Sequence, residues 1–449
     1  MSARDLAYAV LKDWKPKGSF AGDRLEGLLK TREVTPQDRR LATELVFGVI
    51  RRQATLDALL RPHVTRPKQN VEADLWTLLR LGAYQLGFLA GMAEHAAVNE
   101  TVELAKRTNP RWGGFVNAVL RKVAASLTDD VLSLPTADGI PLADGRYRLV
   151  AEKVFPDPEE DPAGYFAEAF SFPTWLAKRW AARFEPDELF DLGKHFDAPP
   201  GLTLRVNRLK TTREAVLEEL KAAKIKAKPG AHPDAIRLAE SVRVEDLPGF
   251  AEGRVTVQDE TAMYAATLLD PQPGQRVLDL CAAPGTKSSH LAEIMGDAGE
   301  IVAADVSGTR LKRVTENVSR LGLSSVRTAK ISEDGSGLPE GEFDAVLLDV
   351  PCSNTGVLGK RPEARWRVSP ADLVELPRTQ SRLLSLALDR VRPGGRVVYS
   401  TCSIEPEENE QVVQAALAGR EAVSVVDTRL HMPGDPSDGG FQAVMVKGP

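Results

Sequence analysis

The sequence is poor in cysteine and histidine, and it lacks long apolar runs. Its 449 residues include three cysteines and six histidines. An odd, sparse cysteine set gives no disulfide framework, and no spacing is typical of a zinc site, so we expect no bound metal. No run of about 18 apolar residues is present, so no membrane helix is predicted. The first 17 residues are charged throughout and contain no apolar core of signal-peptide type, so we expect a cytoplasmic protein.

A general excess of positive charge is also missing. The chain carries 58 Lys and Arg against 63 Asp and Glu, a net charge of −5. The charge is unevenly distributed, because residues 1–130 carry 20 basic and 15 acidic side chains, and the remainder is therefore strongly negative. The basic end fits a surface for a nucleic-acid backbone, and it fits an ordinary solvated helical surface equally well.

What is present is a clear division along the chain. Residues 1–128 have apolar residues at helical spacing and no alternating pattern, which predicts an all-α bundle. Residues 129–165 are punctuated by proline and acidic residues, which predicts a linker. Residues 166–253 combine a strand-like run with a capped helix, which predicts a small α/β module. In residues 254–449 short apolar runs alternate with helices, which predicts a largely parallel, doubly wound α/β domain.

The strands predicted in this last domain locate a candidate site. They are residues 276–280, 300–306, 326–330, 345–350 and 396–400, with helices at 287–295, 310–321 and 372–391 between them. Ligands of such sheets bind beyond the carboxyl ends of the strands. Cysteine is often only a small buried apolar residue, yet all three cysteines, Cys281, Cys352 and Cys402, follow predicted strands. This placement indicates a shared site.

The loop after the first of these strands favours a nucleotide-like ligand. Its residues are small and a helix follows, so a ligand can approach the backbone and place a negative group at the helix start. Asp305 lies 20 residues after Gly285, where an acidic side chain accepts hydrogen bonds from a ribose in nucleotide-binding sheets. The loop is not G-x-G-x-x-G, so the pattern predicts an adenosine-containing ligand without specifying a dinucleotide.

The strand ends lie in three motifs, DLCAAPGTKSSH, LLDVPCSNTGVLGKRPEARWR and YSTCSIEPEENE. These resemble the signature motifs of the RNA cytosine-5 methyltransferase superfamily that includes the NOL1/NOP2/Sun proteins. Four further segments are similar to the bacterial ribosomal small-subunit RNA methyltransferase B (Sun/Fmu) family: DRRLATELVFGVIRR, AVNETVELAKRTNPRWGGFVNAVLRK, SFPTWLAKRW and LTLRVNRLKTT. The resemblance implies a NusB-like helical RNA-binding domain, a small RRM-like α/β domain and a Rossmann-like class I methyltransferase domain.

The resemblance also implies an activity, the transfer of a methyl group from S-adenosylmethionine to carbon-5 of a cytidine in 16S ribosomal RNA. Cys402 is implied as the nucleophile that adds to carbon-6, Cys352 as the residue that assists release, and Asp349 as the group that holds the cytosine edge. The base must leave its stack to reach such a site. We expect a monomer.

The resemblance assigns two further sets of residues. The cofactor-binding residues are Cys281, Ala282, Ala283, Pro284, Gly285, Thr286, Lys287, Asp305, Asp334 and Asp349. The RNA-binding residues are Lys360, Arg361, Arg365, Trp366 and Arg367, unless they form a solvated loop with a packed tryptophan. Thr286 stands where the family usually has glycine, so it either crowds the cofactor or caps the helix.

Three polar residues after the nucleophile, Glu405, Glu408 and Asn409, are interpreted as favouring a helix start rather than acting in catalysis. The alternatives to the implied function are the same chemistry on transfer RNA or another ribosomal RNA, a non-catalytic RNA-binding assembly factor, and a small-molecule or protein methyltransferase. The last two leave the strand-end cysteine pair without a role.

Overall fold

The structure, a computed structural model, describes residues 2–89, 91–239, 242–434 and 437–449. The chain divides into two compact units: unit 1 is Met1–Pro199 with Leu358–Val368, and unit 2 is Pro200–Val357 with Ser369–Pro449. Among the described residues, none of the helices has the length and apolar character needed to cross a bilayer.

Unit 1 opens with amphipathic helices whose apolar stripes share one core. Leu45 and Val98, from two of the predicted stripes, are both buried in it. The first helix begins at a capping box in which Ser2 and Asp5 satisfy each other's backbone N–H groups. The helices are α1 (Ala3–Leu11), α2 (Ala21–Lys30), α3 (Pro36–Arg51), α4 (Gln53–Leu60), α5 (Ala73–Phe88), α6 (Glu94–Thr108) and α7 (Trp112–Ser126). The predicted N-terminal all-α bundle is confirmed.

The next part of unit 1 corrects the linker prediction for residues 129–165. It contains an antiparallel sheet of order β1-β3-β2, formed by β1 (Leu127–Leu132), β2 (Gly139–Pro141) and β3 (Tyr147–Val150). Ile140 and Tyr147 are fully buried. Two of the prolines that suggested a linker stand at element ends, since Pro141 closes β2 and Pro162 opens the following helix.

Three helices complete the continuous part of unit 1, and they change the boundary of the predicted α/β module. They are α8 (Pro162–Ala169), α9 (Thr174–Ala181) and α10 (Pro186–Asp197). Aromatic side chains of these helices and of the turn between α8 and α9, including Phe166, Phe172 and Trp180, pack against one another. Residues 166–199 lie in unit 1, whereas the sheet of the predicted module begins at Leu202 in unit 2.

A buried charge network holds the Leu358–Val368 segment in unit 1. Arg365 is fully buried, and its guanidinium lies 4.2 Å from the centre of the Phe172 ring. It donates to the Asp197 carboxylate at 3.3 Å, and that carboxylate also pairs with Arg52 at 2.7 Å. Its other acceptors are backbone oxygens, those of Arg51, Phe170, Ser171 and Phe196. The guanidinium thus joins α15 (Ala364–Arg367) to three other parts of the unit.

Unit 2 begins with a small antiparallel sheet of order β5-β6-β4-β7. Its strands are β4 (Leu202–Val206), β5 (Ala227–Pro229), β6 (Ala235–Leu238) and β7 (Val255–Val257). Helix α11 (Arg213–Ala222) begins at the Thr212 cap and buries Val216 and Leu220 against this sheet. The predicted α/β module is this sheet and helix.

The rest of unit 2 is a seven-stranded sheet of order β10-β9-β8-β11-β12-β14-β13. The first five strands in this order are parallel, and β14 runs antiparallel to both of its neighbours, β12 and β13. The strands are β8 (Arg276–Leu280), β9 (Glu300–Asp305), β10 (Val326–Lys330), β11 (Phe343–Asp349), β12 (Val391–Thr401), β13 (Val423–His431) and β14 (Gly440–Lys447). The helices are α12 (Glu260–Leu269), α13 (Thr286–Ile294), α14 (Gly308–Leu321), α16 (Asp372–Arg390) and α17 (Glu410–Leu417). The predicted doubly wound domain is confirmed.

Replacing Arg365 tests the charge network of unit 1. Arg365→Ala leaves the Asp197 carboxylate short of a partner and four backbone oxygens short of donors. We expect unit 1 to lose about 3–5 kcal/mol of stability, measured by denaturant unfolding. Arg111→Ala, the same substitution at an exposed arginine of this unit, is the control and should stay within about 0.5 kcal/mol of the wild type. Equal stabilities for the two variants would contradict the structural role of Arg365.

Candidate active site

The site lies at the carboxyl edge of the parallel strands, where the strand register brings the ends of neighbouring strands to the same level. Leu348 of β11 lies opposite Leu280 of β8, and Asp349 lies opposite Ser400 of β12. On the far side of β8, Leu280 lies opposite Ala304, one residue before Asp305. The candidate residues from four separate parts of the sequence therefore leave the sheet at one edge, as the sequence predicts.

The loop after β8 is fixed by contacts with β9 and α14. Asp305 is buried, and its carboxylate accepts the backbone N–H of Ala283 at 3.3 Å and that of Ser307 at 2.9 Å. Arg310 donates to the Ala283 oxygen at 2.7 Å. Gly285 has a φ of +95°, and a Cβ there would lie 2.9 Å from Val314. Glycine is required at this turn, which brings the loop against Val314 of α14.

Thr286 and Asp334, two of the predicted cofactor residues, differ in their setting. Thr286 is the first residue of α13, whose N-cap is Gly285, so the alternative that Thr286 caps the helix is wrong. Asp334 lies exposed after β10, and its carboxylate accepts the backbone N–H of Ser336 at 2.9 Å. A role of Asp334 in cofactor binding stays a prediction.

Asp279, which the sequence analysis did not single out, is a fully buried acid beneath the loop. Its carboxyl group accepts the Ser288 hydroxyl at 2.5 Å, and its other oxygen has no hydrogen-bond partner. Burial raises the pKa of Asp279 to about 7, and the nearby carboxylates of Asp349 and Asp305 act in the same direction. The Ser288 hydroxyl and the Lys287 ammonium oppose this shift.

Lys287 and Asp349 form the charged pair of the site. The Lys287 Nζ lies 2.7 Å from the Asp349 Oδ2. Burial alone would lower the pKa of Lys287, but the Asp349 carboxylate outweighs burial and raises it. Lys287 is therefore a retained cation beside Asp349, a relation that a strand-end pattern cannot reveal.

Cys352 and Cys402 are in direct contact. Their Sγ atoms lie 3.0 Å apart, and the Cys402 thiol lies 3.3 Å from the Asn354 Oδ1. The Cys402 contact raises the pKa of the Cys352 thiol well above its ordinary value, and burial adds to this. Cys281 is separate in character, because burial and then the Asp305 and Asp349 charges raise its pKa to about 12. The structure thus brings two of the three cysteines together as a pair.

The five predicted RNA contacts do not form one exposed group. Arg365 is buried in the network of unit 1, so the prediction that it contacts RNA is wrong. The Trp366 indole N–H donates to the Ile50 oxygen at 2.9 Å, and Arg367 donates to the Gly18 oxygen at 2.7 Å. Arg361 is exposed and Lys360 half-buried, so RNA contacts remain a prediction for these two residues.

A buried arginine that the sequence analysis missed anchors the start of α13. Arg205 of β4 forms an ion pair with Glu293 at 2.8 Å and donates to the Thr286 oxygen at 2.7 Å. It also donates to the Ser289 hydroxyl at 2.9 Å. The small sheet thereby fixes the helix that carries Thr286 and Lys287.

Three potential metal ligands, His232, Asp234 and His290, also come together in unit 2, with donor atoms within 4.8 Å of one another. The Asp234 oxygen nearest both histidines is already paired with Arg208. Burial, followed by the Arg205 charge, lowers the pKa of His290 to about 3. With two arginines beside it, we interpret this cluster as polar packing and assign no metal to it.

Comparison with known proteins agrees with this architecture. Residues 266–445 match the family model described as 16S rRNA methyltransferase RsmB/F. Residues 1–125 match the NusB family, and residues 172–245 match the ferredoxin-like domain of RsmF/B-like methyltransferases. The fold and the site thus define a Rossmann-like methyltransferase that carries a NusB domain.

Whole-chain relatives identify the family. The chain is 37% identical to a probable ribosomal RNA small subunit methyltransferase B of Synechocystis over 94% of its length and 90% of that protein. It is 34% identical to ribosomal RNA small subunit methyltransferase B of Salmonella newport, over 99% of this chain and 98% of that one. A solved structure, that of PH0851, matches with a TM-score of 0.77 and 25% identity, over 100% of this chain and 99% of that chain. The chain belongs to the ribosomal RNA small subunit methyltransferase B family.

The raised pKa of Asp279 predicts a pH-dependent stability. Between pH of about 4 and about 7, Asp279 is protonated in the folded protein and ionised in the unfolded chain. The free energy of unfolding therefore falls as pH rises through this range. Asp279→Asn removes this loss, and the variant should gain stability over the wild type as pH rises, by about 1.4 kcal/mol for each unit of pKa shift. Thermal unfolding midpoints between pH 5 and pH 8 measure this gain.

Asp344 provides a control, because its pKa is shifted in the opposite direction to that of Asp279. Its pKa is lowered, because hydrogen bonds from the Arg276 backbone and the Arg392 side chain outweigh burial. Stability from this acid is present above its unfolded pKa and is lost in more acidic solution, so Asp344→Asn should be less stable than the wild type throughout pH 5–8. A pH-independent effect of Asp279→Asn would show that Asp279 is ionised in the folded protein.

Proposed function

We propose that this protein uses S-adenosylmethionine to form 5-methylcytidine in 16S ribosomal RNA, through a covalent bond between Cys402 and the cytosine. The observation that carries the proposal is the contact of Cys352 with Cys402 at 3.0 Å, at the strand edge that also carries the Lys287–Asp349 pair. A binding protein needs no thiol pair, and a methyltransferase for a more nucleophilic atom needs no cysteine nucleophile.

The cofactor part of the proposal rests on the fit between the loop and an adenosine ligand. Asp305 uses only part of the acceptor capacity of its carboxylate on backbone N–H groups, which leaves capacity for ribose hydroxyls. The N-terminus of α13 offers unpaired N–H groups for a carboxylate. When bound, S-adenosylmethionine supplies an electrophilic methyl group.

The thiol pair answers a specific chemical difficulty. Carbon-5 of cytosine is a poor nucleophile until a thiolate adds to carbon-6. The Cys402 thiol loses its proton to solvent water, and its sulfur forms that bond. The electron pair of the 5,6 double bond then becomes available at carbon-5, which receives the methyl group. Asp349 accepts a hydrogen bond from the exocyclic amino group. Lys287 offsets the negative charge that develops on the ring.

Release of the product requires loss of the carbon-5 proton and of the sulfur. A base takes the proton, the 5,6 double bond forms again, and Cys402 leaves as a thiolate. We assign Cys352 to this step. The contact with Cys402 is the largest cause of the raised pKa of Cys352, and that contact changes once the Cys402 sulfur is bound to carbon. The Cys352 proton then passes to solvent water, and the resulting thiolate takes the carbon-5 proton.

The RNA part of the proposal rests on the relatives. Those with high coverage are named ribosomal RNA small subunit methyltransferases, and the helical domain matches the NusB family. Bisulfite sequencing of 16S ribosomal RNA and transfer RNA from a deletion strain tests the substrate. Loss of a methylated cytidine from transfer RNA alone would overturn the 16S proposal and leave the chemistry in place.

Replacing Asp305 tests the cofactor site. Asp305→Ala removes a buried carboxylate, and we expect S-adenosylmethionine to bind more weakly by about 1.5–3 kcal/mol in calorimetry. Asp305→Asn keeps the shape and separates the loss of charge from the loss of packing. Glu333→Ala, at an exposed acid after β10, is the control and should bind normally. Unchanged affinity in folded Asp305→Ala would refute the assignment.

The two cysteines should fail in different ways. Cys402→Ala cannot form the bond to carbon-6, so it should be inactive and leave the RNA unlinked. Cys352→Ala can attack and accept the methyl group, but release stalls, so a covalent protein–RNA species should accumulate and survive denaturing electrophoresis. The double variant is the control without a band. The opposite pattern would exchange the two roles, and full activity in both single variants would remove the thiol mechanism.

A further inference from the structure

The loops that carry Cys352 and Cys402 are joined by one buried carboxylate, that of Glu408. Its Oε1 accepts the Ser353 backbone N–H at 2.9 Å. Its Oε2 accepts the Ser403 hydroxyl at 2.6 Å and also the Ser353 hydroxyl. Ser353 directly follows Cys352, and Ser403 directly follows Cys402. One side chain therefore holds the residue next to each cysteine.

Helix α16 contributes a further contact to the same carboxylate. The Gln380 Nε2 donates to the Glu408 Oε1 at 3.0 Å and to the Pro351 oxygen at 2.9 Å. The backbone is thus held on both sides of Cys352, at Pro351 and at Ser353.

The neighbouring residue Asn409 holds Cys402 in the same manner. Its Oδ1 accepts the Thr401 hydroxyl at 2.7 Å, and its Nδ2 donates to the Ser403 oxygen at 3.0 Å. Glu408 and Asn409 are both fully buried and both precede α17, which begins at Glu410. Asn409 is the N-cap residue of α17 but makes no side-chain cap bond, so the side chains of both residues serve the cysteine loops rather than the helix start.

We infer that Glu408 is a positioning residue whose carboxylate sets the separation of the Cys352 and Cys402 sulfurs, an inference that rests on the proposed function for its catalytic consequence. The four donors around Glu408 come from three separate elements, and an ionised carboxylate accepts all of them. Burial raises the pKa of Glu408 even though these hydrogen bonds oppose the shift. Lys287 is a further charged group near the Cys402 thiol.

The first test measures the separation of the sulfurs without RNA or cofactor. Phenylarsine oxide bridges two neighbouring thiols, forming two As–S bonds with release of water. We expect the wild type to bind it tightly and Glu408→Ala to bind about tenfold more weakly, because the second bond depends on effective concentration. Cys352→Ala gives the baseline for a single thiol, including any contribution from Cys281. Glu410→Gln, a loss of acid two residues away, should bind like the wild type.

Two further variants keep the inference testable if Glu408→Ala does not fold. Glu408→Gln keeps the shape with fewer acceptors, so it should fall between wild type and Glu408→Ala. The double variant Ser353→Ala with Ser403→Ala retains Glu408 and removes the hydroxyl donors, so it should reproduce the weaker binding. Wild-type arsenical affinity in the folded double variant and in Glu408→Gln would overturn the inference.

The second test measures turnover, and it separates the two proposals. We expect kcat of Glu408→Gln to fall while KM for S-adenosylmethionine is unchanged, because the cofactor loop is elsewhere. The wild type could form no 5-methylcytidine and still bind phenylarsine oxide more tightly than Glu408→Ala. That result would refute the proposed function and leave the positioning role in place. The opposite result is a wild type that forms 5-methylcytidine and a Glu408→Gln variant with the same activity and the same affinity for phenylarsine oxide. That result would refute only the positioning role.

Discussion

The parallel pairing of β11 with β12 is the constraint on which the site depends. Because Asp349 lies opposite Ser400, the segments that follow β11 and β12 leave the sheet side by side, and Cys352 and Cys402 come into contact. Pairing of β8 on the other side of β11 brings Lys287 to Asp349 in the same way. A slip of one residue would exchange the two faces of a strand. The apolar side chains of β11 fill two different cores, so the packing that fixes the register also fixes the chemistry.

Electrostatics then distinguishes residues that the sheet has brought together. Asp279, Asp305 and Asp349 lie near the start of α13, where Lys287 pairs with Asp349 and Arg310 pairs with Asp305. Burial, reinforced by the same carboxylates, raises the pKa of Cys281, while the contact with Cys402 is the largest cause of the raised pKa of Cys352. Arg205, which fixes α13 from the small sheet, lies outside the strand-end set but determines where Lys287 stands. Position at the strand ends thus identifies the candidate site residues, and the neighbouring charges give them different pKa values.

The sequence predicted what local pattern determines. The strands at 276–280 and 326–330 have the bounds found in the structure, because short apolar runs end there at polar turns. It missed β13, whose side chains are mostly exposed, and also β14, which is largely buried. Arg365 could not be predicted, since a basic residue in a polar segment is buried only when Asp197, far away in sequence, meets it. Glu408 was misread for the same reason, because its partners lie on other segments.

Buried charge in this protein occurs where separate segments must be held together. Arg365 joins α15 to residues near Asp197, Arg205 joins β4 to α13, and Glu408 joins the two cysteine loops. Burying an ion costs free energy that apolar packing would not cost, so such groups are poor sources of stability alone. They do impose direction, because each donor must meet its acceptor at a defined angle and distance. Glu408 is the case nearest to chemistry: an apolar side chain there could fill the space but could not fix the distance between two sulfurs.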